Sequence, residues 1–187
     1  MIGAMENAQT GRLPRWPFKL DTDKAVEAVI YVASRIPNPT FHSISKVLFH
    51  ADKAHISRYG RPISGDNYIA MRHGPVPSAT YDIFKALRGD ASWDLPKRAR
   101  EAIRVEDGHA VQILAKADES ILSSSDIECL AESALEHGSK SFTRRTAESH
   151  GPAWNAADEN DVIALESLLL EIENGDELRR HFENDGA

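Results

Sequence analysis

At 187 residues with 41% apolar side chains, the chain can build one domain with short appendages around a single core. A lone cysteine, Cys129, excludes a disulfide framework and fits a reducing cytoplasmic setting, and no apolar run is long enough to cross a bilayer. The net charge of −7 is uneven: residues 155–187 hold ten acidic and two basic side chains, whereas residues 40–104 hold eleven basic and six acidic ones.

Residues 1–22 contain no hydrophobic segment of the signal-peptide kind and read as a flexible leader that Trp16 and Phe18 could dock. Asp23 is placed to cap a helix over 24–35, with Val26, Val29, Ile30 and Ala33 on one stripe. Ile36-Pro37-Asn38-Pro39 ends it. A second helix spans 43–59. Ile44, Val47, Leu48 and Ala51 make its main stripe, and Phe49 and Ile56 widen it, so it should be buried on most sides. Asp52 and His55 extend that stripe, and Arg61 and Arg72 are their nearest candidate partners.

Gly60 after Tyr59 predicts a left-handed cap, which Pro62 seals. Residues 67–71 predict a short strand buried on both faces, and Gly74-Pro75-Val76-Pro77 a rigid turn. Ser78 should cap a helix over 79–87, and 89–101 reads as loop. Ile103 and Val105 face Val111 and Ile113 across an Asp107-Gly108 turn. A three-residue loop is preferred because it pairs Val105 with Val111 and Ile103 with Ile113.

Ser125 and Glu128 match a capping box for a helix with Ile127, Leu130, Ala131, Ala134 and Leu135 inward, ended by Gly138. A weakly amphipathic helix over 140–149 is anchored by Phe142, and Trp154 packs in the turn after it. A last helix over 159–173 turns Val162, Leu165, Leu168, Leu169 and Ile172 inward, and Asn174-Gly175 caps it. Residues 176–187 read as an acidic tail with an exposed helical turn or two. The whole predicts an α+β fold: one predominantly helical domain over 23–175 with a small three-stranded β component.

The chemistry is sparse. His50 and His55 stand five apart, which points them away from each other on a helix, so neither has the spacing of a zinc helix. Cys129 reads as a quiet thiol, and the glycines form no phosphate loop. No catalytic residue, metal ligand or cofactor is assigned. Two alternatives stay open: a DNA- or RNA-binding regulator using the basic middle section, and a metal-dependent hydrolase using Asp52, His55 and His73.

Residues 46–77 carry a resemblance. Lys46, Leu48, Phe49, Ala51, Tyr59-Gly60-Arg61-Pro62-Ile63, Ala70 and Gly74-Pro75-Val76 resemble the signature of the SocA-like antitoxin family, or Panacea domain. Phe49 stands where tyrosine is commoner. Ser149, His150 and Trp154 resemble its C-terminal part, and the likeness covers about residues 23–155. The resemblance implies a bacterial or phage antitoxin that binds and neutralises a toxin encoded beside it. Its best-known member also delivers its toxin to the ClpXP protease. It supplies no catalytic residue. Arg58, Arg61, Arg72, His73 and Tyr81 are the expected partner-binding residues, with the acidic 159–173 segment as a second surface. Asp52, His55, Tyr59, Gly60, Pro62, Gly74 and Pro75 are expected to be structural.

Overall fold

The structure, a computed structural model, describes residues 13–185 apart from Trp93 and Asp107. The first twelve residues of the leader and the Asp107 half of the turn signal therefore lie outside the described residues. The fold is helix-dominated α+β, as predicted, but its strands form two separate antiparallel pairs rather than one three-stranded unit.

Helix α1 (Thr22–Ala33) is capped by Asp21, which accepts from Lys24 N at 3.1 Å, and not by Asp23. Asp23 falls inside the first turn, where its charge faces the positive end of the helix. Helix α2 (Phe41–Tyr59) starts two residues earlier than predicted, because Thr40 and Ser43 cap each other reciprocally. It ends at Gly60 with φ 69°, the left-handed cap. Twelve of its residues are buried, and it forms the wall between two cores.

The first core lies between α1, one side of α2, and the elements up to residue 137. These are α3 (Ser78–Arg88), α4 (Lys97–Ala102), the hairpin β3 (Ile103–Val105) with β4 (Val111–Ile113), and α5 (Ser124–His137). The hairpin pairs Val105 with Val111 and Ile103 with Ile113, the preferred register. Helix α4 occupies part of the predicted loop. Its buried residues are Ala99 and Ala102, too small to produce an apolar stripe in the sequence.

The second core takes Phe49 and Ile56 from the other side of α2. Strand β1 (Tyr68–Met71) and helices α7 (Pro152–Asn155), α8 (Leu165–Leu169) and α9 (Gly175–Asp185) add Tyr68, Ala153, Leu168 and Leu178. Leu13 joins them, and Trp16 donates its indole N–H to Gly65 O at 3.0 Å.

Several local predictions fail for identifiable reasons. The Gly74–Pro77 segment is strand β2, paired with β1 from Tyr68↔Pro77 to Met71↔Gly74, so the turn is Arg72-His73. Prolines are tolerated in a strand where their missing N–H faces away from the ladder. Strand β1 buries Tyr68 and Ala70, whereas Ile69 and Met71 are only half-buried.

Residues 160–163 do not start a helix because their backbone lies along the free edge of β1. Asn160 N donates to Ala70 O, Ala70 N to Asp161 O, and Ile163 N to Tyr68 O, all within 2.9 Å. The predicted last helix therefore shrinks to α8, and the tail expected to be an exposed turn or two is α9, which starts at Gly175 and buries Leu178 in the second core. The inward leucines of α8, Leu165, Leu168 and Leu169, are buried as expected.

Helix α3 has no side-chain cap from Ser78. Asp66 takes that part from a distance in sequence, accepting from Ala79 N, Thr80 N and Thr80 Oγ1 at 3.0, 3.0 and 3.1 Å. Helix α5 is boxed by Ser123 and Asp126 rather than Ser125 and Glu128. That two-residue shift buries Cys129, Leu130, Ser133, Ala134 and His137, and leaves Leu135 86% exposed. Helix α6 (Phe142–Ser149) is capped by Ser141, and its expected anchor Phe142 is only half covered.

Candidate functional site

Three buried acids organise the structure around α2. Asp126, at the start of α5, gathers Lys24 Nζ at 2.6 Å, His55 Nε2 at 3.1 Å and Arg61 Nη2 at 3.2 Å, and accepts from Ser123 N at 2.8 Å. Burial would raise its pKa, but the bonds from His55, Lys24 and Ser123 outweigh that and hold it well below the usual carboxylate range. His55 is completed by Arg61 O on Nδ1 at 2.7 Å. This knot ties α1, α2, α5 and the Gly60-Arg61-Pro62 bend together.

Asp52 faces elsewhere. It accepts from Tyr68 OH at 2.6 Å and Ile63 N at 2.7 Å, so neither Arg61 nor Arg72 is its partner. Burial pushes its pKa up to about 6, against the two bonds that favour the charged form. Asp66 is also raised by burial while it caps α3. Tyr59 lies at the surface and donates to Glu128 at 2.9 Å. Asp52, His55 and His73 thus have separate partners, and among the described residues no group of three or more His, Cys, Asp or Glu is placed to hold a metal ion. Cys129 is buried, and burial pushes its thiol up to about 11.

Beside the β1–β2 turn a cleft of about 560 Å³ opens between α2, α3 and α6. Phe41, Met71, Val76, Tyr81 and Phe142 supply apolar walls, and Lys46, His42, His73, His109 and Arg72 supply nitrogen. Lys46 is 1% exposed and donates to Pro75 O at 2.7 Å. A side chain on Gly74 (φ 99°) would collide with Ser149 Oγ and lie 2.9 Å from Lys46 Nζ, so glycine is needed both for the turn and for this approach.

His42 bonds Thr146 Oγ1 at 3.0 Å through Nε2, while its buried Nδ1 has no partner among the described residues. Burial first, then the charges of Lys46, Arg145 and His73, pull His42 down to about 3. Trp154 Nε1 donates to Met71 O at 2.9 Å, and His150 stacks on Trp154 with centroids 3.7 Å apart. The three separated parts of the sequence signature, Lys46, Gly74-Pro75 and Ser149-His150-Trp154, therefore meet at one place.

The five expected partner-binding residues divide into two sets. Arg58 pairs with Glu128 and Glu132, and Arg61 with Asp126, so both are engaged inside the molecule. Arg72, His73 and Tyr81 border the cleft, with Arg72 and His73 exposed. Arg72 makes no ion pair or hydrogen bond among the described residues, and His73 lies edge-on to Phe142.

Much of the basic middle is likewise neutralised: Lys53 pairs with Glu171, Lys85 with Asp82, Arg88 with Asp90 and Arg98 with Glu27. The acidic segment is not a continuous acidic face either. Glu171 turns inward to Lys53 and Ala153 N, and Glu166 pairs with Arg179. Lys46 belongs to the family signature, but its sequence context assigned it no contact or chemical role. Its signal is a lysine beside Ile44 and Val47 on a helix apolar nearly all round.

A family model described as Antitoxin SocA-like, Panacea domain, matches residues 44–155. No curated protein and no solved structure matches the chain. The matched residues take in most of α2, the β1–β2 hairpin, most of the cleft wall, and the Asp126, His55 and Arg61 members of the knot. The chain belongs to the SocA-like antitoxin family.

Proposed function

We propose that the protein is an antitoxin that acts in the cytoplasm by binding its cognate toxin directly, without catalysis of its own. In this reading the Arg72, His73 and Tyr81 side of the cleft forms part of the contact surface. Family membership supports the toxin–antitoxin role. The observation that carries the choice of surface is a free arginine at the mouth of an aromatic-walled cleft, the composition in which binding hot spots concentrate.

Co-expression with the product of the neighbouring gene tests the role. That product alone should arrest growth, and this protein should restore growth and co-purify with it. Arrest that persists in its presence, or no arrest at all, defeats the reading. Delivery of the bound toxin to ClpXP is a further part of the proposal, and an unchanged toxin half-life in cells lacking ClpX would remove it. The nucleic-acid reading loses support from the many ion pairs that neutralise the basic middle.

A further inference from the structure

The cleft contains a buried ammonium that no carboxylate neutralises. Lys46 has three donors, and Pro75 O takes one. Among the described residues it forms no ion pair, in contrast to Lys24 and Lys53, whose partners are Asp126 and Glu171. Other nitrogen groups face the region from every side: His42 on the same helix, His73 and Arg72 on the β1–β2 turn, Arg145 on α6, His150 after it, and His109 on the β3–β4 loop. The one carboxylate on the cleft is Glu159, exposed at its rim.

A methionine would fill the space of the lysine stem without the cost of burying a charge. The charge therefore has its use in a state where something else supplies the counter-ion. The cleft walls are largely apolar, which suits a carboxylate carried on an apolar group better than a heavily hydrated phosphate.

We propose that Lys46, with Arg72 at the mouth, receives a carboxylate borne on an apolar segment of the toxin: an Asp or Glu side chain, or a chain-terminal carboxylate, beside a large apolar residue. This rests on the cleft being part of the toxin-binding surface. Burial pulls free Lys46 down to about 7, so a bound carboxylate, by favouring the protonated amine, makes binding weaken as pH rises through about 7.

The probe is 3-phenylpropionate, titrated into the full-length protein by ¹H–¹⁵N NMR, with 3-phenylpropanamide as the uncharged control and inorganic phosphate as competitor. The acid should move the amides of His73, Gly74 and Val76 and bind about ten-fold more tightly than the amide, the worth of one charge-assisted hydrogen bond. Lys46→Met should abolish both the acid preference and the pH dependence. Arg72→Gln, at an exposed position, should weaken the acid by about three-fold and leave the fold intact. Equal binding of acid and amide, shifts away from the turn, or displacement by equimolar phosphate would overturn the inference, and each is read on the wild-type protein.

The two proposals separate in cells. If wild type rescues growth but K46M rescues equally well, this inference fails and the antitoxin reading stands. If wild type fails to rescue, the antitoxin reading fails, whatever the probe shows.

Discussion

Asp126, packed against α2, and Lys46, on it, are both buried charges, and the molecule treats them differently. Asp126 is met by a lysine, an arginine and a histidine, together with a backbone amide. Lys46 is met by one carbonyl and surrounded by other nitrogen groups. A saturated buried charge fixes geometry, because removing it strands its partners. An unsaturated one weakens the free fold and gains its counter-charge only from outside. The two sites should therefore respond to neutralisation with opposite signs.

The largest expected effect is Asp126→Ala. It leaves Lys24, His55 and Arg61 without their shared acceptor and should cost about 3–5 kcal/mol, read from urea midpoints. A loss under about 1 kcal/mol would show that solvent replaces the carboxylate easily and would erase the contrast. Asp52→Ala strands Tyr68 OH and Ile63 N and should cost about 2 kcal/mol. Adding Tyr68→Phe should then cost less than it does in the wild type, because the stranded hydroxyl has gone.

Lys46→Met should be neutral or stabilising by about 1 kcal/mol at pH 6. Its pH dependence follows from the lowered pKa. Between about 7 and the ordinary lysine range the unfolded chain binds more protons at this site than the fold does, so wild-type stability from this group rises with pH. The gap to K46M should be widest below pH 7 and close towards pH 10, and a gap that widens would assign Lys46 to holding the fold. The smallest effect is Leu135→Ser, expected within about 0.5 kcal/mol because the side chain is solvent-exposed.

How much of this could be read from the chain depends on the range of the interactions. The span of α2, its Gly60 cap, the β3–β4 register and the burial of Asp52 and His55 follow from local periodicity and turn chemistry. The failures come from partners distant in sequence. The helix expected from residue 159 yields at its start to backbone pairing with β1, about ninety residues earlier in the chain. Ser78 was a plausible cap until Asp66 arrived from the other side of the hairpin. Ser123 and Ser125 both begin boxes by spacing. The choice falls to Ser123 because Asp126 can then meet Lys24 of α1, His55 of α2 and Arg61 of the bend after it, and Leu135 rotates outward as a result. At the site, Arg72, His73 and Tyr81 were legible as candidate contact residues near the Gly74-Pro75 segment, although Arg72 was equally a candidate partner for Asp52. Lys46 was not, because its meaning depends on a missing carboxylate that only packing reveals.

The second core has a consequence for how the chain is made. Leu13 belongs to the same core as Ile163, Leu168 and Leu178, and Phe18 lies edge-on to Phe182 at 5.7 Å. During synthesis the first core, drawn from residues 26–134, can close while the ribosome is still adding the remainder. The segment holding Leu13 and Phe18 must wait, uncovered, until residues 163–182 emerge. A chain stopped early would keep the first core and expose the apolar side of α2 at Phe49 and Ile56. That makes residues 163–182 the segment whose arrival covers the apolar side of α2 and closes the second core.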